Sequence, residues 1–158
     1  MLEVAYINTP LGITKIEGDS AGIQHITTNH QVEKLSEEIP ESLQHCVTEL
    51  QRYFEGNLKE FTFQMNPQGT EFQQKVWKAL LDIPFGKTTS YADLSIKLGD
   101  LKAIRALANA NGKNPLWIAV PCHRVIGSDG SLTGYAGGLW RKRWLLEHEN
   151  PVKQQTLF

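Results

Sequence analysis

A cysteine and a histidine stand side by side at Cys122-His123, inside the stretch IAVPCHRVIGSDG. A thiol beside an imidazole admits three kinds of chemistry: metal ligation, a hydrolytic nucleophile–base pair, or covalent transfer to the sulfur itself. Structural zinc takes four ligands, usually supplied as CxxC or HxxxH pairs. No such pair occurs, and the two cysteines and five histidines are scattered along the chain, so no metal is expected. A hydrolytic pair needs the base opposite the nucleophile, and direct adjacency makes an in-line contact difficult. A buried structural cysteine is the plain alternative to all of these.

The neighbours favour a reactive thiol. Pro121 removes a backbone donor and restricts Val120, so the chain leaves its strand-like run just before Cys122. Arg124 and a basic surrounding would favour the thiolate, whose pKa falls from roughly 8.5 near cations. A helix beginning at the cysteine would add its N-terminal dipole to that effect.

Which elements hold this pair in place? Near the N-terminus, LEVAYINT, LGITKIEGD and IQHITTN read as a small antiparallel meander with turns at Thr9-Pro10 and GDSAG. Pro40 opens a helix that carries Leu43, Val47, Leu50 and Phe54 on one face, and Gly56 stops it. Cys46 adjoins that face and is expected to be buried as a small hydrophobe. FTFQMNP reads as one more strand or an extended connector. Thr70-Glu71-Phe72-Gln73 fits a capping box for a helix bearing Phe72, Val76, Trp77, Leu80 and Ile83. Ser90 and then Asp100 cap two short helices joined through Gly99, a helix-turn-helix pattern. LWIAVPCHRVI follows as an apolar run, then a Gly/Ser loop, then a final helix over LWRKRWLLEHEN ended by Asn150-Pro151.

The fold class expected is α+β, with a small N-terminal antiparallel sheet-plus-helix lobe and a mostly helical C-terminal lobe containing the helix-turn-helix. The expected domains are 1–66, 67–150 and a tail at 151–158. With 158 residues, 41% hydrophobic and 21% charged, the composition is that of an ordinary soluble globular protein. No signal peptide opens the chain and no apolar run approaches a membrane span, so a reducing, cytoplasmic setting is expected. Residues 1–84 hold 6 Lys/Arg against 12 Asp/Glu, and residues 85–158 hold 10 against 5. An acidic first half and a basic second half make a polyanion a suitable partner for the second. A thiol beside a DNA-reading element brings reaction with a nucleic-acid base into view.

PCHRV, followed by GYAGG and WLLEHE, resembles the methylated-DNA–protein-cysteine methyltransferases, also called O6-alkylguanine-DNA alkyltransferases. The resemblance runs back through GTEFQQKVWKALLDIPFGKTTSYADL and IRALANANGKNP, so that it covers residues 69–150. It implies irreversible transfer of an alkyl group from O6-alkylguanine in double-stranded DNA, with O4-alkylthymine as a related lesion, to Cys122. The reaction is single-turnover, the base is flipped out of the duplex, and no cofactor is needed. His123 would take the thiol proton through a water and Glu149 would orient that histidine. Asn114 would tie the turn after the recognition helix to the active-site segment, and Tyr91 would donate a hydrogen bond to the departing guanine. Tyr135 and Ala136 would wall the pocket, and the carbonyls of Cys122 and Val125 would meet the guanine amino group. Arg105 would fill the space left by the flipped base, with Lys102, Ala103 and Ala106 beside it on the DNA. Ile104 stands where many relatives carry a small residue. Lys142 matches a family lysine near the active-site loop, whereas Trp140, Arg141 and Arg143 are less typical.

Two other readings remain in play: a non-catalytic alkyl-lesion binder, which Cys122 argues against, and a helix-turn-helix regulator. The tail KQQTLF offers Gln154, Leu157 and Phe158 in a pattern like the peptides that dock bacterial repair proteins on the sliding clamp. A monomer is expected.

Overall fold

The computed structural model describes residues 1–30, 34–132 and 134–150. Gln154, Leu157 and Phe158 lie outside the described residues. Contacts between Cα atoms divide the chain into two units. Residues 1–68 with 115–119 form the first, and residues 69–114 with 120 onward form the second.

In the first unit, strands β1 (Glu3–Thr9), β2 (Gly12–Asp19) and β3 (Gly22–His30) form an antiparallel meander in that order. Ser20-Ala21 makes the tight turn between β2 and β3, with the Asp19 carboxylate accepting the Ala21 N–H at 2.9 Å. One face of the sheet carries the buried Ala5, Ile7 and Ile16. Helix α1 (Glu41–Phe54) lays Leu43, Val47 and Leu50 against the sheet, with Cys46 buried beside them as expected. Gly56, at φ +85°, ends it. FTFQMNP is an extended connector, bridging β3 only at Ile23–Met65. The buried Glu49 carboxylate fastens its start by accepting the Thr62 N–H (2.8 Å), the Thr62 hydroxyl (2.8 Å) and the Phe63 N–H (2.9 Å).

The apolar run after Asn114 is not a strand. Its first residues return to β3, where Ile26 N–H donates to Pro115 O at 2.8 Å and Trp117 N–H to Ile26 O at 3.1 Å. That return places 115–119 in the first unit, where the sequence reading assigns them to the C-terminal domain. The chain then doubles back twice. Ala119 N–H bonds to Trp117 O around Ile118, and Cys122 N–H bonds to Val120 O around Pro121, both at 2.8 Å. Each is a γ-turn, and the first holds Ile118 at φ 76°, a strained value for a β-branched residue.

The second unit opens with α2 (Glu71–Leu80), whose capping box is complete: Gln73 N–H donates to Thr70 Oγ1, and Thr70 N–H to Gln73 Oε1. Val76, Trp77, Leu80 and Ile83 are buried, whereas Phe72, one turn earlier, is 38% exposed and leaves the expected apolar face. Ser90 caps α3 (Tyr91–Lys97), and Asp100 caps a 3-10 turn (Leu101–Ala103) leading into α4 (Ile104–Gly112). Trp77 Nε1 donates to Ala110 O at 2.9 Å and ties α2 to α4. Two short parallel strands, β4 (Thr89–Ser90) and β5 (Val125–Ile126), pair Thr89 with Val125 and Ser90 with Ile126. Tyr91 directly follows one and Cys122–Arg124 directly precede the other, so this pairing draws two distant stretches of chain together. Helix α5 (Leu139–Glu149) completes the unit. No described helix is long and apolar enough to cross a membrane.

Candidate active site

Cys122 opens a single 3-10 turn, Cys122–Arg124, with all three side chains buried. The turn is too short to supply the helix dipole that the sequence reading invoked. Burial pushes the Cys122 thiol up to about 11, against the opposing pull of a hydrogen bond from the Asn114 side chain and the charge of Lys142. The expectation of a thiolate favoured by Arg124 is therefore overturned: desolvation outweighs the nearby cation, and Arg124 is engaged elsewhere. Its Nε donates to Glu149 Oε1 at 2.8 Å, its Nη2 to Glu149 Oε2 at 3.0 Å and its Nη1 to Ile83 O at 2.7 Å.

Glu149, at the end of α5, also binds His123: Nε2 lies 2.8 Å from Oε2, with side-chain exposures of 0% and 1%. Burial opposes the charge on Glu149, but the His123 and Arg124 contacts hold its carboxyl far below the usual range. An ionised carboxylate only accepts, so His123 Nε2 carries a proton and donates it toward Glu149, which leaves Nδ1 as the ring nitrogen turned away from the carboxylate. Nδ1 is buried and has no protein hydrogen-bond partner. Cys122, His123 and Glu149 are thus all buried, with the imidazole fixed against the carboxylate.

Two asparagines hold the segment around Cys122. Asn114 Nδ2 donates to Val120 O at 2.8 Å, and Asn111 Nδ2 reaches Cys122 O at 3.5 Å. Asn111 escaped the sequence reading because an Asn late in an amphipathic helix carries no signal of its own. Lys142 is fully buried and its Nζ donates to Val125 O at 2.6 Å, so the carbonyl expected to meet guanine already holds an ammonium. A carbonyl keeps a second lone pair for another donor.

Tyr91, Ile104, Arg105, Ala108, Tyr135 and Ala136 line a cavity of about 600 Å³. Five of the residues singled out in the sequence, Tyr91, Ile104, Arg105, Tyr135 and Ala136, thus line it. Cys122 is not itself among the lining residues, but the charge on Cys122 acts on Tyr135, which is, and Lys142 Nζ sits 5.9 Å from the Tyr91 ring centroid. Lys102 and Ala106 are exposed and Ala103 half-buried, on the same helical segment but outside the cavity wall. Among the described residues, no three His, Cys, Asp or Glu side chains cluster as metal ligands.

Two family models divide the chain between them. The DNA binding domain of 6-O-methylguanine DNA methyltransferase matches residues 71–151, and the ribonuclease-like domain of the same family matches residues 2–67. The chain belongs to the 6-O-methylguanine DNA methyltransferase family. The methylated-DNA–protein-cysteine methyltransferase of Mycobacterium tuberculosis is 42% identical over 153 residues, spanning 94% of this chain and 93% of the relative. The one from Methanosarcina acetivorans is 41% identical over 152 residues, spanning 92% and 96%. The crystal structure of M. tuberculosis O6-methylguanine methyltransferase superimposes with a TM-score of 0.85 at 41% identity, covering 96% of this chain and 94% of that one. The M. tuberculosis OGT in complex with DNA gives 0.83 at 42% identity, with 97% of both chains covered. The α+β architecture is thus that of the methyltransferase family.

Proposed function

We propose that this chain is a DNA repair enzyme that moves an alkyl group from O6 of guanine in DNA onto Sγ of Cys122. The observation that carries this reading is the buried Cys122–His123–Glu149 cluster beside the cavity, with His123 Nδ1 left as base. A target atom inside a duplex is out of reach, so the guanine is flipped into the cavity, and Arg105 on its wall fills the gap in the stack. A water passes the thiol proton to His123 Nδ1, and Glu149 steadies the imidazolium that forms. Sulfur then displaces guanine at the alkyl carbon: the S–C bond forms as the C–O6 bond breaks. Tyr91 donates toward guanine N3 as negative charge builds on the leaving base, which departs with one proton regained. The product is a thioether, which no group in the site can hydrolyse, so each molecule reacts once. The raised thiol pKa gives this arrangement its logic, because the nucleophile is uncovered only when the base acts.

Duplex DNA carrying labelled O6-methylguanine tests the reading. Label should reach the protein to about one methyl per molecule and be absent in Cys122→Ala, which still binds DNA. Multiple turnover, or no transfer from the wild type, refutes it. The protein is further read as a cytoplasmic monomer whose tail docks on a sliding clamp through Gln154, Leu157 and Phe158. Equal binding of purified clamp by the wild type and a Leu157→Ala/Phe158→Ala variant rules out the docking.

A further inference from the structure

Beside the cavity, α5 begins with two large apolar side chains in solvent: Leu139 is 49% exposed and Trp140 54%. The two are neighbours in sequence at the first turn of the helix. The indole is held in a set orientation. The Arg141 guanidinium lies over the Trp140 ring, 4.4 Å from its centroid, and Arg141 Nη1 donates to Gly137 O at 2.7 Å. Gly137 follows Gly134, Tyr135 and Ala136, which wall the cavity, and Arg141 is an electrostatic neighbour of the Tyr135 phenol. The indole–guanidinium pair is therefore fastened to the cavity wall. Arg143 is exposed one helical turn from Trp140, on the same side of α5.

We propose that Trp140, Arg141 and Arg143 form a second DNA contact, which grips the lesion-bearing strand beside the cavity mouth. The inference rests on the alkyl-transfer reading and adds to it a surface outside the helix-turn-helix. The occupant follows from the chemistry and the position. An indole offers a flat apolar face to a base or deoxyribose, guanidinium groups suit phosphates, and the patch is continuous with the cavity that takes the flipped base. A strand leaving that cavity meets the patch directly. Trp140 is not among the residues that line the cavity, so its contribution falls on DNA capture and leaves the bond-making step alone.

The test measures single-turnover methyl transfer from O6-methylguanine duplex over a range of DNA concentrations. Trp140→Ala should raise the half-saturating DNA concentration about fivefold or more, with the rate at saturation within about twofold of wild type. Trp140→Phe should restore most of the loss. Arg143→Glu, at an exposed position and checked to melt as the wild type does, should weaken capture likewise, by a factor that grows as salt falls. Half-saturation unchanged in both Trp140→Ala and Arg143→Glu overturns the proposal. So does a loss confined to the saturating rate. Failure of the wild type to accept methyl at all would instead overturn the alkyl-transfer reading, and the two failures are distinct.

Discussion

Replacing Glu149 with glutamine separates what this residue does for folding from what it does for chemistry. The carboxylate accepts three N–H bonds, from His123 Nε2, Arg124 Nε and Arg124 Nη2. An amide has one acceptor oxygen, so its NH2 end must face a donor, and the buried guanidinium loses its counter-charge. Removing one partner of a buried ion pair costs about 3–5 kcal/mol. At roughly 2–4 °C per kcal/mol for a chain of this size, E149Q should melt about 6–20 °C below wild type at pH 7. The loss must also depend on pH. A carboxyl held far below its unfolded value contributes stability that is fully present above the unfolded pKa of about 4.3 and is lost as pH falls toward the folded value. The gap between wild type and E149Q should therefore narrow below about pH 4. Thermal melts followed by circular dichroism read both effects. A double variant, Arg124→Met/Glu149→Gln, removes the stranded charge and should recover much of the melting temperature, while methyl transfer stays depressed because His123 remains unoriented. A melting temperature for E149Q within about 2 °C of wild type at neutral pH, or no recovery in the double variant, would refute the reasoning.

Three further outcomes follow from the site. Tyr91→Phe should slow methyl transfer by roughly 10²-fold while leaving DNA affinity unchanged, if the phenol acts only on the departing base. Cys122 alkylation by iodoacetamide, located by peptide mapping, should be slow and rise about tenfold per pH unit between pH 7 and 9, as a thiol pushed up to about 11 requires; a plateau below pH 9 would contradict it. Burial lowers the Lys142 ammonium to about 8. The unfolded chain thus binds more protons between about pH 8 and 10.4, and wild-type stability should gain on Lys142→Met across that window; parallel stability curves would show that Lys142 is not so perturbed.

Local chemistry made much of this molecule legible in advance. The Thr70–Gln73 capping box, the Ser90 and Asp100 caps and the Gly56 stop are written in adjacent residues, and each forms as the sequence implies. Cys122, His123 and Glu149 were recognisable from motif and resemblance, and the structure sets the His123 and Glu149 side chains 2.8 Å apart. What escaped depends on partners far along the chain. Arg124 reads as a cation for the thiol until Glu149, 25 residues on, is seen to hold it. The thiol's raised pKa follows from burial, which no neighbouring letter encodes. The resemblance sets Lys142 near the active-site loop, but nothing in the sequence says that its ammonium is buried on Val125 O. The run 116–120 has strand composition, yet backbone bonds to β3 and two γ-turns decide its path.

That path has a bearing on how the molecule can be divided. A fragment starting at Gly69 would keep every atom named in the acceptor site. It would also lose the β3 edge to which Pro115 and Trp117 are bonded. Leu116, Trp117 and Ile118, now 0%, 6% and 1% exposed, would be left as an adhesive run just ahead of the nucleophile. No single cut separates the units, because the chain leaves the first, returns to it for five residues and leaves again. The residues of the site all lie in the second unit, but the stretch of chain that leads into Cys122 is hydrogen-bonded within the first.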